Sequence, residues 1–173
     1  MATTKSELAR TLMVDEGFRT KPYVCTAGKM TIGVGRNFED NPFTPDERAV
    51  LGIKSTIPGT QFQELAMKPL KEEEVRWLLQ EDLTKLLESL SSHPVLGPIF
   101  AKQDMVRQVA MGNLVYNLGV RGLLKFQKFL AAMDAKDYVA AEASLAASRG
   151  SKQVKSRSKR VRDMVLTGKI TGY

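Results

Sequence analysis

Three residues of this chain have the types and spacing for acid-assisted bond cleavage. Glu16 stands in Asp15-Glu16-Gly17-Phe18-Arg19, Cys25 follows after eight intervening residues, and Thr31 after five more. Cleaving a glycoside needs an acid to protonate the leaving oxygen and a second polar group to manage water or the developing positive charge. Glu16 is the candidate acid, because shielding by apolar neighbours such as Val14 and Phe18 would raise its pKa toward working pH. Cys25 and Thr31 are the candidates for the second group. Spacing alone leaves a plainer reading standing, in which Asp15 and Glu16 are surface acids at the end of a helix.

The elements that must hold these residues can be read around them. Leu8, Leu12 and Met13 fit one face of a helix over residues 3–16, with Thr3, Thr4 or Ser6 as the cap, Glu7 in the first turn and Gly17 as the stop. From Tyr23 to Val34 the residues favour strands, and Ala27-Gly28-Lys29 supplies a turn. A carboxylate at that junction faces the space between helix end and hairpin. Gly33 and Gly35 allow close approach to the backbone, so a sugar could lie against this strand. Pro42, Pro45, Pro58 and Pro69 break residues 37–70 into loops and short helices, one of them over Pro45 to Leu51.

The acids Glu72, Glu73 and Glu74 open a long amphipathic helix from Lys71 to about Leu90, stopped by Ser91-Ser92-His93-Pro94. Residues 95–149 read as all helical. A core helix spans Gln103 to Leu118, where Asn113 and Asn117 interrupt the apolar pattern and must each find partners or face a cleft. Helices follow over Leu124 to Met133, Asp137 to Ala147, and Ser156 to Thr167 with Gly168 as a stop.

The chain has 173 residues, 43% of them hydrophobic, enough for one well-packed unit. No apolar run reaches the roughly 18–20 residues of a spanning helix. The first ten residues carry charges and no apolar core, so they do not read as a secretory signal. A single cysteine allows no internal disulfide, and with a single histidine zinc is not expected. The formal charge of +7 lies wholly in residues 149–173, where eight Lys and Arg face Asp163 alone. Such a patch suits an anionic polymer: nucleic acid, a membrane surface or an acidic wall glycan.

The run Glu16, eight residues, Cys25, five residues, then Thr31-Ile32-Gly33-Val34-Gly35 resembles the active-site signature of the phage lysozymes, glycoside hydrolase family 24. In that family the pattern is Glu, eight residues, Asp or Cys, five residues, Thr. The resemblance is weakest from about Asn37 to Lys71. It implies a mostly helical, lysozyme-like α+β fold in one domain, residues 1–173. A small lobe with a β-hairpin (17–70) would be joined by a linking helix (71–92) to a larger helical lobe (93–173), on which helix 3–16 packs.

The implied function is that of an endolysin, a muramidase cutting the β-1,4 bond between N-acetylmuramic acid and N-acetylglucosamine. Peptidoglycan would lie in the groove between the lobes. Glu16 would be the acid, with Thr31 and Cys25 placing water on the opposite face and inversion as the outcome. Gly35, Tyr116, Asn117 and Arg149 would line the sugar groove. Asn113 would hold Asp15, Arg157 would pair with Glu16, and Arg160 with Asp15; a guanidinium beside Glu16 opposes the rise that burial produces.

No cofactor or metal is implied, a monomer is expected, and no nucleic-acid partner. The chain would be made in a host cytoplasm, released by a holin, and act on the wall in the periplasm. Its rival is a cationic protein that disrupts membranes or lipopolysaccharide through residues 149–173. The chain departs from the family in three places. Cys25 replaces the more frequent aspartate and could act as a thiolate helped by Lys29 or Arg36. Arg36 replaces a histidine and should pair with Asp82. Gly150 replaces a tryptophan.

Overall fold

Local capping sets where the first helix begins in the computed structural model, which describes residues 1–148 and 155–173. Thr3 Oγ1 accepts from the Ser6 N–H at 3.1 Å, and helix α1 runs over Thr4–Glu16. Gly17 takes φ +81°, a left-handed turn that suits glycine, and the chain leaves the helix there. Three antiparallel strands follow in the order β1-β2-β3, with β1 at Arg19–Val24, β2 at Met30–Gly33 and β3 at Arg36–Asn37.

Strand β1 begins four residues before the expected Tyr23. Pro22 disguised it, since proline cannot donate to a ladder, and the register with β2 is irregular between Arg19 and Tyr23. The short β3 was not foreseen. It pairs Asn37 with Thr31 and Arg36 with Ile32, which makes β2 the central strand.

Helix α2 occupies Pro45–Leu51, as its punctuation foretold: Thr44 closes a capping box with Glu47, and Gly52 ends the helix at φ +69°. Helix α3 (Pro58–Met67) is a second short helix within residues 37–70, whose bounds the sequence did not give, and it packs on β1. The long helix α4 covers Glu72–Ser92.

Beyond it come α5 (Leu96–Ala101), α6 (Met105–Leu124), α7 (Gln127–Asp134), α8 (Tyr138–Ala147) and α9 (Lys155–Thr167). Helix α5 lies in the stretch read as all helical but was not placed there as a separate helix; the His93 ring accepts from the Val95 and Leu96 N–H groups at 3.1 and 3.2 Å and organises its start. Helix α6 starts at Met105, capped by Asp104, and continues past Leu118 through a break at Gly119 (φ 73°, ψ 166°). The expected buried stripe was too wide, because Met105 and Leu118 are 36% and 37% exposed.

The chain forms two compact units: Met1–Thr11 with Leu83–Tyr173, and Leu12–Asp82. The first is entirely helical among its described residues. Leu8, Leu96, Met111, Leu123, Phe129 and Met164 are fully buried in it. Gly112 lets α1 and α6 meet, since a Cβ there would lie 2.7 Å from Leu8 Cδ2. Helices α7, α8 and α9 pack in sequence, with α9 also against α6. The second unit holds the sheet, α2, α3 and the first half of α4 around Leu12, Ile32, Phe38, Leu65 and Leu78. Among the described residues no helix is long and apolar enough to cross a membrane.

Candidate active site

Glu16 is the last residue of α1, and its side chain lies against the backbone of Gly35. A Cβ on Gly35 would stand 2.9 Å from Glu16 Oε2 and 3.0 Å from its Cδ, so only glycine leaves room for the carboxylate. Gly35 also needs its identity for φ +68°. Gly35 thus shapes the seat of the candidate acid, while a Cβ on Gly33 would meet Val75 Cγ1 at 3.4 Å. Val14, named as a shield, is 50% exposed and cannot serve as one; Phe18 is half-buried, with the Arg76 guanidinium 5.0 Å above its ring.

The hairpin brings Cys25 and Thr31 together. Cys25 N–H donates to the Lys29 carbonyl at 2.9 Å and Gly28 N–H to the Cys25 carbonyl at 2.8 Å, closing the turn between β1 and β2. Burial would push the Cys25 thiol up, but the Lys29 backbone N–H, the Thr31 hydroxyl and the Ala27 N–H outweigh it and hold the thiol below its ordinary value of 9.0. The helpers are therefore hydrogen-bond donors. Lys29 Nζ is engaged by Asp40 at 3.1 Å, and the Arg36 guanidinium is turned to other partners.

Thr31 is 2% exposed, and its hydroxyl donates to the Lys29 carbonyl at 2.9 Å. That hydroxyl carries one proton. It can serve a Cys25 thiolate only by leaving the carbonyl, so thiolate and hydroxyl form a linked pair.

Arg36 on β3, across the ladder from Ile32, is a buried anchor of the sheet. Its Nη1 donates to Asp82 Oδ1 at 2.6 Å, its Nη2 to Glu47 Oε2 at 2.9 Å and to the Pro42 carbonyl at 3.0 Å, and its Nε to the Asn41 carbonyl at 2.9 Å. Arg36 and Glu47 are 3% and 2% exposed in their side chains. The pairing with Asp82 is the one the sequence suggested. Glu47 was missed. Its capping-box position was visible, but nothing in the sequence tied the same carboxylate to Arg36.

Tyr23 is the other residue that sequence reasoning left out. It stands directly across the ladder from Thr31 and two residues before Cys25. Its phenol is pushed above 10.0, first by burial and then by the charges of Glu16 and Cys25, against the lowering effect of Arg19. The period of two along a strand was the signal that could have found it.

The remaining candidates are helical. Asn113 is 1% exposed and accepts from Arg157 Nε at 3.1 Å; Arg157 is itself buried. Tyr116 is half-buried and Asn117 exposed, so Asn117 is no core asparagine. Arg160 has Tyr173 beside it, its guanidinium 5.0 Å above the ring. Asp15 is half-buried. Arg149 and Gly150 lie outside the described residues.

A small sheet with a carboxylate, a thiol and a hydroxyl at its hairpin, together with a helical unit, defines a lysozyme-like α+β protein. The phage lysozyme family model matches residues 14–163. The chain is 32% identical over 168 residues to the pre-baseplate central spike protein Gp5 of Enterobacteria phage T4, covering 96% of this chain and 28% of that protein. It is also 27% identical over 169 residues to probable T4-type lysozymes 1 and 2 of Dictyostelium discoideum, covering 97% of this chain and 98% of each. The chain therefore spans well under a third of the spike protein and nearly the whole of the two lysozymes. It belongs to the phage lysozyme family, whose members are glycoside hydrolases.

Proposed function

We propose that this chain is a muramidase of the endolysin type, hydrolysing the β-1,4 bond from N-acetylmuramic acid to N-acetylglucosamine and thereby lysing a bacterial host. The observation that carries the proposal is the seating of Glu16 against Gly35 within the same unit as the Cys25–Thr31 pair. Glu16 protonates the leaving oxygen. Water held by the Thr31 hydroxyl attacks the anomeric carbon and passes its proton through that hydroxyl to the Cys25 thiolate. No carboxylate occupies the position of Cys25, which favours direct attack by water and inversion over a covalent glycosyl ester.

Gly35, Tyr116, Asn117 and Arg149 are assigned to the sugar, and Asp15, Asn113, Arg157 and Arg160 to support of the acid, on the family resemblance. The enzyme would act as a monomer on peptidoglycan in the periplasm after a holin opens the membrane. The membrane-disrupting alternative is disfavoured by α9: Val161, Met164 and Val165 are at most 3% exposed, so the folded helix has committed that apolar face to its own unit. The spike relative favours a second reading, with the same chemistry carried by a module of a central spike.

The test is clearing of purified peptidoglycan, with mass spectrometry of the fragments and NMR of the new anomeric centre. A folded Glu16→Gln variant should lose about 10²–10⁴ in rate, while wild type releases reducing muropeptides in the inverted configuration. If Glu16→Gln clears the wall as fast as wild type, the assignment of the acid is wrong.

A further inference from the structure

Helix α2 ends at a cleft with backbone acceptors that the fold does not use. The last carbonyls of a helix have no partner within it, and turn amides, water or a ligand satisfy them. Here the Gly52 and Ile53 N–H groups both donate to the Arg48 carbonyl, the second at 2.9 Å. The next two N–H groups, of Lys54 and Ser55, donate to Glu64 Oε2 and Oε1 at 2.8 and 2.9 Å. The carbonyls of Ala49, Val50 and Leu51 are therefore left without a donor among the described residues.

All three residues line a cleft of about 360 Å³ within the unit that holds the sheet. The chain from Lys68 into the first turn of α4 completes the lining. Lys68, Lys71 and Glu73 stand there exposed, with no ion pair among the described residues. Glu74 differs, since its Oε1 accepts from the Lys71 N–H at 3.0 Å. Val50, Pro69 and the buried Leu70 add apolar surface.

From these groups we infer that the cleft binds a small zwitterion, an α-amino acid with an apolar side chain. An ammonium brings three donors, and the C-terminus of a helix favours positive charge. The amino group thus matches the α2 carbonyls, with Glu73 in the same lining. The carboxylate matches Lys68 and Lys71. Because both signs line one cleft, a lone amine would face uncompensated cations and a lone acid uncompensated acceptors. The volume falls within the roughly 300–1,000 Å³ of small-molecule sites. Neither Glu16 nor the glycan takes part, so this site stands apart from the muramidase reading.

Leucine is the probe, set against leucinamide, which lacks the carboxylate, and 4-methylpentanoate, which lacks the ammonium. Amide NMR titration of the full chain with leucine should give saturable shifts centred on residues 49–52 and 68–74, with Kd on the order of 1 mM, modest as suits so small a ligand. Each of the other two probes should bind about tenfold more weakly, for the loss of one charged hydrogen-bonding group. Lys68→Gln and Glu73→Gln alter exposed side chains, so an unchanged pattern of remote amide signals will show that the fold is kept, and each should weaken leucine by up to about fivefold. No saturable shift with leucine, or shifts centred elsewhere, would overturn the inference. Equal binding of leucinamide or 4-methylpentanoate would reduce the cleft to a site for a single charge and overturn it too, as would full affinity in both variants.

Discussion

Gly35→Ala separates backbone strain from the seating of the acid. Gly35 has φ +68°, and Gly52, the cap of α2, has φ +69°. An alanine at either position enters the left-handed region at a cost of roughly 1–2 kcal/mol. Around Gly52 a Cβ meets nothing within 4 Å, whereas at Gly35 it would stand 2.9 Å from Glu16 Oε2 and 3.0 Å from Cδ. The obstructing atoms belong to the far end of a flexible side chain, so the clash is relieved by moving the carboxylate rather than the fold. Both variants should therefore lose similar stability in chemical denaturation, about 1–2 kcal/mol. They should differ in rate. A displacement approaching 1 Å costs about 10²-fold, so the few tenths needed here should lower kcat of Gly35→Ala about tenfold or more, while Gly52→Ala keeps wild-type kcat. If Gly35→Ala is destabilised like Gly52→Ala yet cleaves peptidoglycan at the wild-type rate, the contact with Gly35 does not set the working position of the acid.

The Arg36 cluster should behave as a buried unit. Glu47→Ala leaves Asp82 as the one remaining carboxylate on the cation among the described residues and opens the α2 cap, so about 3–5 kcal/mol should be lost, whereas Asp40→Ala, at the exposed pair with Lys29, should change stability by less than about 1 kcal/mol; equal effects would refute the assignment. Thiolate absorbance should show Cys25 titrating below 9.0, and Thr31→Val, which removes a donor to the thiolate, should move the midpoint up; a wild-type midpoint at or above 9.0 would contradict the geometry. Asp104 caps α6, accepting from Arg107 N at 3.0 Å and Nη1 at 2.6 Å. Burial raises its carboxyl, but the bonds and charge of Arg107 outweigh burial and hold it below 3.8. Its contribution is thus complete above 3.8 and fades as pH falls through the lower folded value. Asp104→Ala should cost about 1 kcal/mol at neutral pH, and thermal melts should show the difference from wild type shrinking in acid.

The parts legible in the sequence were those governed by near neighbours. Thr44-Pro45-Asp46-Glu47 and Gly52 bounded α2 because cap, fixed proline φ and left-handed stop all act within a few residues. Glu16, Cys25 and Thr31 stood out because a helix end and a hairpin turn are local, and their spacing resembles a known pattern. Residues whose state depends on distant partners were harder. Arg19-Thr20-Lys21-Pro22 looks unlike a strand until Gly33 pairs with Arg19. Leu96–Ala101 contains Gly97 and Pro98, poor helix formers, and is organised by the His93 ring. Gly119 breaks α6 between stretches that both read as helix.

Side-chain types, the periodicity of the elements and the charge carried by residues 149–173 were therefore determined by the sequence itself, because each is a property of residues close along the chain. Three features were decided only by tertiary structure. Arg36 serves two carboxylates, the Cys25 thiol is lowered by hydrogen-bond donors rather than cations, and Gly35 forms the seat of Glu16. Each depends on a distance of about 3 Å between groups brought together by the fold. Spacing along the chain carries no such distance; the packing of strand on helix sets it.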